Sequence, residues 1–214
     1  ITWRARAHST HQLMMQLDVI EQENEQLKAD VIRLQGIVDY TQQIQEQAVF
    51  AQRYDVQGSI VQILMKQLTS QGHFFWVDRG SRDGIAKDMV AIYKNNLIGR
   101  VVDVYPWYSK VQLVTDSTCK VAGYCAGTNI QGIHKGCNTD CNGILTHVSH
   151  LEQLIVGDMV LSSGEGLIFP RGFLLGRIVS SKPEGLYQQV QLKTDVDMYA
   201  LTHCMVLTKG NKSL

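Results

Sequence analysis

The chain is expected to be mainly β, with an N-terminal α-helical coiled coil followed by two related antiparallel β-domains. Three observations predict this: a three-block internal repeat, short β-branched runs separated by turn residues, and a 4-3 apolar spacing confined to residues 13–38. In the repeat, Asp88-Met89-Val90, Leu97-Ile98-Gly99-Arg100-Val101-Val102 and Val111-Gln112-Leu113-Val114-Thr115-Asp116 return in the same order. The second set is Asp158-Met159-Val160, Leu174-Leu175-Gly176-Arg177-Ile178-Val179 and Val190-Gln191-Leu192-Lys193-Thr194-Asp195. A duplicated unit with little unusual chemistry points to a scaffold before an enzyme.

Residues 10–54 are assigned to a single helix. Leu13, Leu17, Ile20, Asn24, Leu27, Val31, Leu34 and Val38 keep one narrow stripe on one helix face, too narrow for a globular core and suited to a partner helix. With Leu17 at heptad position a, Leu13, Ile20, Leu27 and Leu34 take d, and Asn24, Val31 and Val38 take a. One polar a residue among β-branched ones favours a parallel dimer, in which two facing amides satisfy each other. Glu23 and Lys28 suit an interchain ion pair of small worth. Beyond Val38 the seam weakens to Thr41, Gln45 and Ala48, and Gly58 marks the end of helix-friendly sequence.

Strand pattern begins at Ser59–Leu64 and continues through His73–Asp78, where Phe74 and Trp76 share one face and Phe75 and Val77 the other. Arg79-Gly80-Ser81-Arg82-Asp83-Gly84 reads as a tight turn. Gly99 and Gly176 mark sharp bends or bulges of the kind small barrels need. Phe169-Pro170-Arg171-Gly172 reads as a fixed turn whose Phe169 and Arg171 are candidate partner contacts. The expected division is 1–9 as a membrane-proximal segment, 10–54 as the dimerisation helix, 55–118 as the first β-domain and 119–210 as the second. Strand exchange between the two is left open.

Bulk composition excludes several classes. Twenty basic and twenty acidic residues cancel, which gives no reason to expect nucleic acid as a partner. Three prolines leave no Pro-rich linker. No window holds the eighteen or so apolar residues of a membrane helix. The opening Ile1-Thr2-Trp3-Arg4-Ala5-Arg6, without an initial Met, is expected to follow a membrane anchor.

The order of these elements resembles the bacterial rod shape-determining protein MreC family in its extracytoplasmic region. The residues that carry the resemblance are the coiled-coil helix, Val77–Ile85, Leu97–Val102, Val156–Gly164, Ile168–Gly172 and Gly176-Arg177-Ile178. The resemblance implies two small six-stranded antiparallel β-barrels behind a dimerising coil, on a single-pass bacterial inner-membrane protein facing the periplasm. It implies a non-enzymatic scaffold of the cell-elongation machinery that organises side-wall peptidoglycan synthesis. Its implied partners are MreD, the MreB system and a class B penicillin-binding transpeptidase, with self-association beyond the homodimer.

One stretch departs from that pattern, carrying Cys119, Cys125, His134, Cys137, Cys141, His147 and His150. Cys137-x3-Cys141 with His134 and His147 offers ligands of the type zinc takes, although the ribbon spacing is missing. In an oxidising compartment, disulfides such as Cys137 with Cys141 or with Cys125 are favoured over the metal, and the pairing of Cys204 stays open. No cofactor is expected.

Two alternatives to the scaffold share parts of this pattern. A chymotrypsin-like hydrolase shares tandem barrels, but Ser162 and Ser163 lack the Gly-x-Ser-x-Gly elbow and a base beside them. A periplasmic adaptor of a transport complex requires a second helical arm that returns, and no second heptad run follows the first.

Overall fold

The computed structural model describes residues 2–54, 57–139 and 143–208, with helix side chains described from Ile20 to Gln52. The chain forms two compact units, Ile1–Gln43 and Ile44–Leu214. Helix α1 runs Thr2–Tyr54. Its sequence is rich in Gln, Glu, Leu, Ala and Lys, all strong helix formers, and contains no proline. Arg33 pairs with Asp30 at 2.8 Å one turn away, and the Thr41 hydroxyl donates to the Ile37 carbonyl.

The last turns of α1 belong to the second unit, and there the weakened heptad has a positive cause. Gln47 is wholly buried and accepts a bond from the Lys94 backbone N–H at 3.3 Å. Glu46 meets Lys94 Nζ at 2.7 Å, while Phe50 and Ala51 pack against the apolar core. The sequence gives up its coil seam where the helix turns a face to the β-structure.

Among the described residues twelve strands follow, and their pairings close two rings of six. The first ring contains β1 (Gly58–Thr69), β2 (Gly72–Val77), β3 (Val90–Tyr93), β4 (Asn96–Val104), β5 (Ser109–Leu113) and β12 (His203–Leu207). It runs β4-β3-β12-β1-β2-β5 and closes through β5 on β4. The second contains β6 (Lys120–Cys125), β7 (Gln131–Lys135), β8 (Gly143–Ser149), β9 (Met159–Ser162), β10 (Leu174–Glu184) and β11 (Tyr187–Lys193), closing through β11 on β10. One parallel bridge, Leu174 with Asn96, links the rings.

The first ring is therefore not contiguous in sequence. Strand β12 lies within the stretch 119–210 expected to form the second domain, yet it pairs with β1 and β3 of the first ring. Its run His203-Cys204-Met205-Val206-Leu207 is buried at every position, as expected of a strand covered on both faces. Cys204 and Val206 enter the first core. Met205 and Leu207 face the other way and join Val90, Ile92 and Leu97 in the second core with Val121, Leu145, Val160, Phe173 and Ile178. The barrels thus share an apolar layer.

The repeat is visible in the strand order, since β3-β4-β5 and β9-β10-β11 pair alike. Its outer blocks have slid. Arg100 faces Gln112, but Arg177 faces Lys193 rather than Gln191, a two-residue shift that preserves which side chains point inward. Likewise Val90 lies opposite Arg100 and Met159 opposite Arg177, a one-residue shift accompanied by bulges in both pairs.

Candidate interaction surfaces

The predicted seam lies open along the first unit. Ile20, Leu27, Val31, Leu34 and Val38 are 52–64% exposed, and Asn24 is exposed among them. Leu13 and Leu17 have side chains outside the described residues. Apolar residues at 4-3 spacing form the pattern that packs against another helix in a coiled coil. Ile32 and Ile37 are also exposed and lie off the stripe, a feature that heptad reading passed over.

The second expected contact divides. Phe169 is only 7% exposed and packs in the core beside Phe173, so the structure removes it as a surface contact. Its turn hides the ring because Ser162, itself fully buried, clamps the segment. The Ser162 hydroxyl donates to the Pro170 carbonyl at 2.5 Å and accepts from the Phe173 N–H at 3.0 Å. Gly172 sits at φ 93°, a left-handed conformation costly for other residues. Arg171 remains exposed, with its guanidinium 5.2 Å from the Tyr124 ring centre.

The same bonds place the two serines of the hydrolase alternative. Ser162 is occupied as a structural clamp, and the Ser163 hydroxyl accepts from the Glu165 N–H at 3.3 Å. Neither serine is held against an imidazole, which a nucleophile of this type requires.

Two surfaces were missed by sequence reading. On the first barrel Tyr105 and Tyr108 stack at 4.7 Å, Trp76 lies 5.8 Å from Tyr108, and the Arg82 guanidinium sits 3.9 Å above Trp107. The turn that carries them is fixed by Ser81 N–H to the Tyr105 carbonyl at 2.9 Å and Ser109 Oγ to the Arg79 carbonyl at 2.7 Å. A Cβ on Gly80 would meet the Tyr105 carbonyl oxygen at 2.2 Å, so glycine is what permits the approach. The run Tyr105-Pro106-Trp107-Tyr108 was a readable signal, because a proline turn crowded with aromatics seldom buries all of them.

On the second barrel Leu151, Ile155, Val156, Leu186 and Tyr187 are all exposed. The His150 N–H donates to the Leu186 carbonyl at 3.2 Å, and Gln188 Nε2 donates to the Ser149 and Glu152 carbonyls. These bonds hold the loop after β8 against the β10–β11 hairpin and bring Leu151 and Leu186 to one end. Clustered exposed apolar residues of this kind mark association surfaces.

The described residues of the cysteine and histidine stretch do not converge on a metal geometry. His134 is wholly buried inside the second barrel, and burial lowers its pKa to about 4. His147 adopts φ 62° at the bulge in β8, is exposed, and lies 5.8 Å from the Tyr187 ring. Among the described residues no three potential ligands cluster. Cys119, Cys125 and Cys204 are buried free thiols, which removes the Cys125–Cys137 bridge. Burial pushes Cys119 and Cys204 up to about 12, far from a reactive thiolate. Cys141 lies outside the described residues.

A polar knot near His73 ties the start of β2 and the end of β5 to the segment that leads into β6. Asp116 accepts from the His73 N–H at 2.8 Å, from Gln112 Nε2 at 3.1 Å and from the Thr118 hydroxyl and N–H. Burial opposes the charge, but these four donors outweigh it and hold the Asp116 carboxyl below its usual range.

A long helix with an open heptad stripe, followed by two interlocked six-stranded β-barrels that carry exposed apolar and aromatic surfaces, defines a helix-and-tandem-barrel class of protein. Residues 63–208 match the family model described as rod shape-determining protein MreC, barrel core. The chain belongs to the MreC family. It is 34% identical over 145 residues to the cell shape-determining protein MreC of Listeria monocytogenes, an alignment covering 63% of this chain and 48% of that protein. The chain thus spans about half the length of that relative. A solved MreC structure superposes with a TM-score of 0.74 at 19% identity, covering 80% of this chain and 99% of the other. A complex between penicillin-binding protein PBP2 and MreC from Helicobacter pylori contains a similar chain, with a TM-score of 0.57 at 15% identity, covering 72% of this chain and 99% of that one. Among the described residues no helix is long and apolar enough to cross a membrane.

Proposed function

We propose that this chain is the extracytoplasmic part of a homodimeric, non-catalytic scaffold of the bacterial cell-elongation machinery, anchored in the inner membrane and organising side-wall peptidoglycan synthesis. The observation that carries the reading is the exposed stripe Ile20, Asn24, Leu27, Val31, Leu34 and Val38 at 4-3 spacing. Pairing two such stripes in parallel buries the apolar residues and lets Asn24 meet Asn24. The barrels then present duplicated surfaces to other proteins.

A class B penicillin-binding transpeptidase is the first partner in this proposal, supported by the PBP2 complex of the H. pylori relative. The Leu151, Leu186 and Tyr187 end of the second barrel and the exposed Arg171 are candidate contacts for it. MreD and the MreB system are proposed partners through the membrane-proximal side. Self-association beyond the dimer is part of the same proposal.

The test is cell shape. Replacing the native gene with one carrying Ile20→Asp and Leu27→Asp places four charges in a dimer seam, where an unpaired carboxylate is costly. Rounded cells with normal protein levels support the scaffold reading. Normal rods at normal levels contradict it.

A further inference from the structure

We propose that the cleft between the two barrels binds the carboxylate end of a peptide. A cavity of about 380 Å³ lies where the β1–β2 hairpin, the loop after β7 and the crossover from β11 to β12 meet. That volume falls in the range of small-ligand sites, about 300–1,000 Å³. The walls come from both rings: Leu68 and His73 from the first, Lys193 from the second, and Asp197 and Met198 from the crossover between them.

The balance of spent and unspent charge selects the ligand. Asp195 is engaged by Arg177 Nε at 3.0 and 3.2 Å. Asp197 accepts from the Tyr199 N–H at 2.8 Å and lies near Lys66, whose Nζ donates to the Tyr199 carbonyl. Both acidic groups are thus answered by the protein. Lys193 is exposed, and its side-chain ammonium makes no hydrogen bond or ion pair with any described residue. An ammonium left over in a cleft whose carboxylates already accept hydrogen bonds from the protein favours an anion. Thr115, whose hydroxyl is bonded to His73 Nδ1 at 2.9 Å, and the exposed Thr139 line the same cavity.

Leu68 and Met198 line the same space and distinguish a peptide terminus from a bare ion, because they offer apolar contact to a terminal side chain. A peptide bound there touches both rings and the segment crossing between them, and so fastens the two barrels in one arrangement.

The test is a titration of the full chain followed by backbone amide NMR, using tri-alanine, tri-alanine amide and acetate as probes. The proposal expects saturable shifts at Leu68, Thr115 and Met198 with tri-alanine, about tenfold weaker binding for the amide, and a similar loss in Lys193→Met. The Lys193 ammonium is exposed and unpaired, so that variant should melt at the parent temperature, which separates lost binding from lost folding. Absence of saturable shifts, equal binding of the amide, unchanged binding by Lys193→Met, or acetate reproducing the whole response would each overturn the proposal. Dimerisation and cell shape do not enter this readout, which leaves the scaffold reading to its own test.

Discussion

Arg177 holds Asp195 at 3.0 Å, whereas its counterpart in the first repeat, Arg100, reaches back to Asp88 at 3.5 Å. The same arginine of the repeat has exchanged its partner from the block before it to the block after it. The two-residue slide of β11 relative to β5 brings Asp195 within reach, and Asp158 is left to accept from the Gly127 and Met159 N–H groups instead. Both pairs are partly exposed and contribute little stability. What they record is divergence of register inside a conserved strand order.

The glycines before these arginines should differ in tolerance. A Cβ at Gly99 would lie 2.0 Å from the Gln112 carbonyl oxygen, and one at Gly176 would lie 2.7 Å from that of Lys193. Either must shift backbone. Gly99→Ala should cost more than Gly176→Ala, with both on the order of 1–3 kcal/mol in denaturant unfolding. A reversed order would show that strand spacing in the first ring is looser than described.

Acid should weaken the second barrel through His134. The imidazole is neutral in the fold and its pKa is lowered to about 4 by burial alone, while the unfolded value is about 6.5. The unfolded state therefore binds the proton first, and stability falls as pH drops from about 6.5 to about 4, by about 3 kcal/mol at most. Unfolding of His134→Leu measured across that window should show a flatter pH dependence than the parent. Identical slopes would remove His134 as the cause.

Phe169→Ala should destabilise by about 3–5 kcal/mol, the usual result of emptying a buried aromatic site. Arg171→Ala, two positions on and exposed, should change stability by less than about 0.5 kcal/mol. Thermal melts of the two variants check this directly, and comparable losses in both would mean that the turn is held differently.

These residues show what the sequence can and cannot disclose. The helix was legible because the heptad is a local property, and the strands because β-branched runs between turns are local too. Assignment of β12 was not legible: a run such as Cys204-Met205-Val206-Leu207 announces a buried strand, but nothing in it names which ring it closes. Phe169 was misjudged because a Pro-Gly turn suggests exposure, and the clamp from Ser162 is a tertiary bond invisible in the local pattern. The cleft at Lys193 escaped notice because its walls come from segments more than a hundred residues apart.

Asn24→Val should raise the melting temperature while broadening the range of oligomers, since an amide pair that specifies register is replaced by apolar packing. Light scattering of that variant should show species other than the dimer, and an unchanged single dimer would assign register to another residue.

The most direct measurement of the central claim is the mass of the intact chain in solution, by light scattering, beside the Ile20→Asp and Leu27→Asp double variant. The account predicts a dimer for the parent and a folded monomer for the variant, with the β-sheet circular dichroism unchanged. A parent that is monomeric at concentrations far above the micromolar range, or a variant that remains a dimer, would contradict it.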